Sequence, residues 1–360
     1  MPSIKAEDGV VAVTGASGYV GAHVVGVLMR RGYRVRACVT DINNSEKTDH
    51  LLSMNDQGLA GSVELFAANL LEAGSYDSIF ENAVGVMHVG TPMGYGNANN
   101  PQEVYDGAIR GTNNVLDSIR KTGTVRRLIY TSSFAAIGHP AEAGYQFTEK
   151  DWASDNREND PSWNTQDLND KGEVGYAMAK VELEHLVNRV AEEDGRFDAI
   201  SVCPIVVLGP LLSRAHELVG SWQWYLGRLL GGKVCKRGYQ HLWNIVDVRD
   251  VAESQALMLE SGVCKNGDRY QLSATDSAGE LGVLEIKGHL ESLYSEYEIG
   301  SPPEEIQAII EKHGQVFQSP LAHCDKARTE LGLQTHPIKD TLRDTAESLI
   351  RLGLVEPKMR

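Results

Sequence analysis

Tyr176 and Lys180 are the residues of this chain whose types and spacing best suit proton chemistry. Residues i and i+4 share one face of a helix, so the Lys180 ammonium can approach the Tyr176 phenol. A neighbouring cation favours tyrosinate and lowers a pKa of about 10 toward the working pH, as a general acid/base requires. Among the 13 tyrosines, Tyr176 alone has a lysine four residues on. The pattern also arises on ordinary helix surfaces; its setting is what matters here. Upstream stand Ser132 and Ser133, at the end of an apolar strand, where a hydroxyl can hold a carbonyl oxygen beside the phenol. A second patch opens the chain: Val10 to Val13 reads as a buried strand, and Gly15, Gly18 and Gly21 lead into Tyr19 to Arg31, apolar at helical spacing. The first glycine allows a tight turn, the second lets backbone approach a pyrophosphate, and the third lets helix pack on strand. The helix N-terminus supplies N–H groups and positive dipole. With 36 glycines in the chain, spacing alone proves little. The strand–turn–helix context makes this a dinucleotide site, with Gly15, Ser17, Gly18, Tyr19 and Val20 as its phosphate-binding turn.

These residues need elements to hold them. Further strands are predicted at Arg34 to Thr40, Val63 to Ala68, Val84 to Gly90 and Arg127 to Ser132, with helices near 45–56, 74–82 and 101–122 between them. Such alternation implies a parallel, doubly wound sheet of Rossmann type, whose ligand lies at the carboxyl ends of the strands. Those ends are Thr40-Asp41, Asn69-Leu70, Gly90-Thr91-Pro92 and Ser132-Ser133. Between His139 and Gly172 the pattern changes to an acidic stretch with Trp152 and Trp163 and no periodicity. It reads equally as a solvated loop or as a flap over substrate. Gly175 to Glu193 is a predicted helix carrying the Tyr–Lys pair, followed by a strand, Ala199 to Val202, and Pro204 to Pro210. The expected organisation is α/β: a dinucleotide-binding Rossmann domain over 1–203, and a smaller, irregular mixed α/β substrate domain over 204–360. From the latter about 244–260 returns to the main sheet.

Composition narrows the function. The formal net charge of −15 disfavours nucleic-acid and anionic-membrane partners. Five scattered cysteines read as reduced thiols of a cytoplasmic protein. No apolar leader and no run of ~18 apolar residues is present. The 11 histidines lack ligand spacing, so no metal is expected. His139 reads as a surface residue or a pocket residue. Trp222, Trp224 and Tyr225 read as pocket lining or core.

Taken in order, Thr14-Gly-Ala-Ser-Gly-Tyr-Val-Gly21, His88-Val-Gly-Thr-Pro92, Gly111-Thr-Asn-Asn-Val-Leu116, Tyr130-Thr-Ser-Ser133, Tyr176-x-x-x-Lys180, Pro204 to Pro210 and Val246-Asp-Val-Arg-Asp-Val-Ala252 resemble the extended short-chain dehydrogenase/reductases. The likeness is greatest to the branch of dihydroflavonol 4-reductase, cinnamoyl-CoA reductase and the microbial aldehyde and ketone reductases, over roughly 10 to 275. It implies an NAD(P)-dependent oxidoreductase, monomer or homodimer, interconverting an aldehyde or ketone and its alcohol, on an aromatic or hydrophobic small molecule. By the resemblance, Tyr176 protonates the carbonyl oxygen, Lys180 binds the nicotinamide ribose, and Ser133, with Ser132 as fallback, holds the carbonyl. Asn69, Leu70, Gly90, Thr91 and Pro92 line the dinucleotide, and Pro204, Ile205 and Val207 pack near the nicotinamide. Asn114 is structural or part of a proton relay. A hydroxysteroid-type dehydrogenase and a nucleotide-sugar epimerase are the rival enzymes; for the latter, Arg214, Arg228 and Arg249 are the few candidate phosphate ligands. A dinucleotide-sensing regulator is the non-enzyme alternative, and such proteins usually lack the Tyr–Lys pair.

Two departures from the family pattern stand out. Gly138 occupies the position of the Asn that holds flavonoid hydroxyls, so a flavonoid substrate loses its anchor. Thr40 replaces the arginine that clamps an adenosine 2′-phosphate. Asp41 can accept from a free 2′-hydroxyl, whereas Lys47 lies where NADP-using relatives keep a lysine; the balance tilts to NAD or to dual use.

Overall fold

The computed structural model describes residues 3–91, 101–142, 144–157, 172–240, 243–274, 281–313 and 322–360. Short apolar runs form the strands β1 (Val10–Thr14), β2 (Arg34–Val39), β3 (Ser62–Ala67), β4 (Ala83–His88), β5 (Arg127–Thr131), β6 (Asp198–Pro204), β7 (Val206–Leu208), β8 (Ile245–Asp247) and β9 (Arg269–Leu272). The helices are α1 (Tyr19–Arg30), α2 (Ser45–Leu52), α3 (Asp77–Phe80), α4 (Pro101–Thr122), α5 (Gly172–Asp194), α6 (Trp222–Leu230), α7 (Lys236–Gln240), α8 (Val248–Glu260), α9 (Val283–Leu293), α10 (Glu304–His313), α11 (Asp325–Leu331) and α12 (Ile338–Arg351). Among the described residues none is long and apolar enough to cross a membrane.

The main sheet has the order β3-β2-β1-β4-β5-β6-β9, and every pairing in it is parallel. Helices cover both faces. Val24, Val25 and Leu28 of α1 pack with Val251, Ala252 and Ala256 of α8 on one side. Val115, Leu116 and Ile119 of α4 pack with Leu183, Val187 and Val190 of α5 on the other. A sheet buried on both faces favours strands of apolar composition; β1 has it, and β5 and β6 are buried along their whole length. This is the doubly wound Rossmann arrangement that the alternation implies. Its topology reverses between β1 and β4, which is where such sheets bind ligands.

A third core lies outside the sheet: Leu226, Leu229 and Leu230 of α6 pack with Ile286 and Leu290 of α9 and Leu342 and Leu349 of α12 over the β7–β8 pair. Of the 244–260 segment expected to return to the main sheet only α8 does so, packing beside α1, because β8 pairs with β7 instead; a later strand joins the main sheet. β9 is its edge strand, and Cys324, Ala327 and Leu333, in and around α11, join the α1–α8 core. β9 is only four residues long and carries an arginine and a glutamine, too little apolar signal to read as a sheet strand.

Candidate active site

At the β1–β4 switch point the glycines do separate jobs. Gly15 adopts a φ of +65°, and a Cβ there would lie 2.6 Å from Gly90 Cα, so the ends of β1 and β4 touch backbone to backbone. A Cβ on Gly21 would sit 2.2 Å from the Gly15 carbonyl oxygen, which is how α1 closes onto the turn. At Gly18 a Cβ would meet only Gly15 O, at 3.2 Å. Gly18 is exposed and Ser17 half-buried, so the outer rim of the turn is open beside the unpaired N–H groups of the first turn of α1, a cradle that fits a pyrophosphate. Val20 packs on the main core. The Tyr19 side chain turns away: its hydroxyl donates to Gly209 O at 2.9 Å and its ring packs on the third core. Only the Tyr19 backbone is left for the dinucleotide.

Toward the adenosine end, Thr40, Asp41 and Lys47 are all exposed. One Asp41 carboxylate oxygen is already engaged by the Asn43 N–H at 2.9 Å. Asn69 caps its own turn by accepting from the Leu71 N–H, and Leu70 O accepts from the Asn114 amide at 2.8 Å. Asn114 therefore has a structural task, fixing the turn after β3 onto α4.

The Tyr–Lys pair projects from α5 toward the ends of β4 and β5. Lys180 is only 4% exposed; its Nζ donates to Thr131 O at 3.0 Å, Thr91 Oγ1 at 3.3 Å and Tyr130 OH at 3.4 Å. It lies 5.8 Å from the centre of the half-buried Tyr176 ring. Burial pushes its pKa down to about 8, opposed by the negative charge of Glu184. Of the two serines, Ser132 is buried and donates to Glu184. Ser133 is half-buried and its Oγ accepts from the Ala135 N–H at 3.2 Å, which leaves the hydroxyl proton for a guest. At the end of β6, Pro204 is buried, while Ile205 and Val207 are partly open. Pro92 lies outside the described residues.

After Ser133 the chain folds back along the sheet edge. His139 is buried rather than exposed, at 5.0 Å from the Phe147 ring and 3.3 Å from Asp151 Oδ1. Asp155 completes a trio of possible ligands, but these carboxylates already accept from Tyr145, Thr148 and the Trp152 N–H. The start of the stretch is held to the sheet edge: Arg269 of β9 donates to Glu149 O and Asp151 O and lies 3.7 Å above the Trp152 ring. The remainder of the expected flap, 158–171, lies outside the described residues. Trp222, Trp224 and Tyr225 pack on the third core.

Sequence reasoning missed Glu184, Arg269 and His88. His88 joins the glycine strand to α4, its ring nitrogens 2.8 Å from Thr14 Oγ1 and 3.2 Å from Thr112 Oγ1, and burial holds its pKa down to about 3. A signal for Glu184 existed, since it continues the i, i+4 stripe of Tyr176 and Lys180.

A glycine turn at a doubly wound switch point thus stands near a buried lysine that has a tyrosine one helical turn before it. The chain belongs to the NAD dependent epimerase/dehydratase family, whose model matches residues 11–272; these are the extended short-chain dehydrogenase/reductases, here the dihydroflavonol and cinnamoyl-CoA reductase branch. It is 30% identical over 343 residues to a cinnamoyl-CoA reductase of Medicago truncatula, covering 94% of this chain and 95% of that one. To a dihydroflavonol 4-reductase of Arabidopsis thaliana it is 30% identical over 296 residues, 81% of this chain and 71% of that one. Gre2 of Candida albicans, solved with NADPH, superposes with a TM-score of 0.77 at 22% identity, over 95% of this chain and 99% of the other. UDP-glucose-4-epimerase of Stenotrophomonas maltophila, with bound NAD, gives 0.71 at 17%, over 96% and 99%. At such identities the last two likenesses show the fold.

Proposed function

We propose that this enzyme reduces an aldehyde or ketone bearing an aromatic or other hydrophobic group to the alcohol, with Tyr176 as proton donor. The observation that carries the reading is the Tyr176–Lys180 face of α5, whose ammonium lies 5.8 Å from the Tyr176 ring and donates to Thr131 O, two residues before Ser133. The glycine turn from Gly15 to Gly21 would hold the dinucleotide, and its nicotinamide, when bound, would supply the hydride. The Ser133 hydroxyl donates to the carbonyl oxygen and orients it. As charge builds on that oxygen, the Tyr176 phenol gives up its proton, and the Lys180 ammonium stabilises the phenolate left behind. Thr131 O and Tyr130 hold the ammonium in place, and their burial strengthens the attraction by excluding water.

The rival substrates fit less well. For a sugar diphosphate, Arg249 is already bound to Asp247 and Asp344, Arg214 to the Leu352 carbonyl, and Arg228 lies over the Trp224 ring. For a flavonoid, a Cβ at Gly138 would come within 3.1 Å of the Phe134 ring, so an apolar wall stands where the polar anchor would be. A steady-state assay with NADH and NADPH against aromatic aldehydes, aryl ketones and UDP-sugars tests the assignment: turnover of the sugars alone would overturn it. Within the pair of serines, Ser133→Ala is expected to lower kcat about a hundredfold and Ser132→Ala by less, the reverse order showing that Ser132 holds the carbonyl.

On the choice of dinucleotide, we propose NAD or dual use. The 2′-phosphate of NADP needs a cation, best an arginine fork, and Thr40 offers one neutral hydroxyl. Thr40→Arg is expected to raise kcat/KM for NADPH relative to NADH at least tenfold, about 1.4 kcal/mol. A wild type that already prefers NADPH about a hundredfold would show that Lys47 or another cation does this work.

A further inference from the structure

Glu184 lies one helical turn beyond Lys180 on α5, with no exposed surface. Its carboxylate accepts from Ser132 Oγ, from Arg269 Nε at 2.7 Å and Nη2 at 3.4 Å, and from the Cys203 thiol at 3.6 Å. Ser132 in turn is fixed by its N–H to Val202 O at 2.8 Å and precedes Ser133 in the chain. Arg269 also donates to Ala136 O at 3.2 Å, in the 3-10 turn that Ser133 opens. One buried carboxylate thus ties the helix that presents Tyr176 and Lys180 to both sides of Ser133.

The same carboxylate has an electrostatic role. The groups facing Lys180 are Tyr176 and Glu184 on its own helix, Tyr130 on β5, His88 on β4 and Cys203 on β6, with Arg269 of β9 beyond Glu184. Burial keeps Tyr130 and Cys203 protonated, and holds His88 neutral. Glu184 is therefore the standing negative charge among them, set against two buried cations. A buried ion pair kept for stability alone is replaceable by apolar residues; a carboxylate that also holds Ser132 and opposes the buried charge of Lys180 is not.

We propose that Glu184 is a positioning residue for carbonyl reduction, holding the Ser132–Ser133 segment against the Tyr176–Lys180 face of α5 and balancing the buried charge of Lys180. The inference rests on the carbonyl-reductase reading above. Glu184→Gln preserves size and an acceptor for Ser132 but removes the charge. Lys180 then loses its proton at lower pH, so the alkaline limb of kcat is expected to move down by about half a pH unit or more, with kcat about tenfold lower and KM for the dinucleotide within about twofold. Ser132→Ala cuts the serine tether and leaves the carboxylate with Arg269; it should lower kcat about fivefold without moving the limb. Melting temperatures of both variants are read alongside. A lowered melting temperature with wild-type kcat and pH limb in Glu184→Gln would overturn the proposal, and if that variant does not fold, wild-type kcat in Ser132→Ala would do so. A wild type that reduces no carbonyl would instead overturn the functional reading, and this inference with it.

Discussion

Tyr176→Phe is expected to lower kcat for carbonyl reduction by about 10² to 10⁴ while leaving the Kd for dinucleotide within about twofold. The substitution keeps the ring and its distance from Lys180, so the face of α5 proposed to meet the nicotinamide is unchanged. Only the transferable proton is lost. Lys180 remains anchored by Thr131 O and Thr91, neither of which depends on the phenol. Single-turnover reduction followed by fluorescence of the bound dinucleotide separates binding from chemistry. A variant with near-normal kcat would remove Tyr176 from proton transfer.

Arg127→Ala is expected to destabilise the fold by about 3–5 kcal/mol, a large share of the 5–15 kcal/mol by which folded proteins are typically stable. Arg127 opens β5 opposite Asp198 of β6 and has no exposed surface. Its Nε and Nη2 both bond the Asp198 carboxylate at 2.8 Å, while Nη1 donates to Met258 O at 2.8 Å and Ser261 O at 2.7 Å. One guanidinium thus joins two central strands to the carbonyl end of α8. Removing it takes the guanidinium partner from the buried Asp198 carboxylate and frees carbonyls at a helix end. Urea denaturation measures the loss. A change below about 1 kcal/mol, the scale of an exposed ion pair, would mean that water or another cation reaches Asp198.

Arg127 shows where sequence reasoning ends. The strand starting at Arg127 is legible because Leu128 to Tyr130 is an unbroken apolar run, yet an arginine at a strand start reads as a surface residue. Its partners, Asp198 and the end of α8, are far away in the chain, and no local pattern announces them. Glu184 continues the stripe of Tyr176 and Lys180, but its pairing with Arg269 is not legible, because the two meet only where β9 completes the sheet. His139 is buried for a related reason: Asp151 and Phe147 fold over it within a loop that has no periodicity to read. Local features fared better. The turn at Gly15 to Gly21, the strands from Val10 to Ser132 and the 101–122 helix depend on short-range patterns, and their bounds agree to within a residue or two. The helix expected at 74–82 shrinks to Asp77–Phe80, since Gly74 at φ +77° turns the chain just before it. The Tyr-x-x-x-Lys spacing is legible for the same reason: both residues ride on one helix, and the Lys180 ammonium lies 5.8 Å from the centre of the Tyr176 ring.

The most direct test of the central claim follows the hydride. The wild-type enzyme is supplied with NADH or NADPH deuterated at the reactive nicotinamide carbon, together with an aromatic aldehyde, and the products are analysed by mass spectrometry. Reduction by this site predicts an alcohol carrying one deuterium at the former carbonyl carbon, one oxidised dinucleotide per alcohol, and loss of that product in Tyr176→Phe. Deuterium retained on the dinucleotide with the aldehyde unchanged, while a nucleotide sugar is inverted under the same conditions, would contradict it.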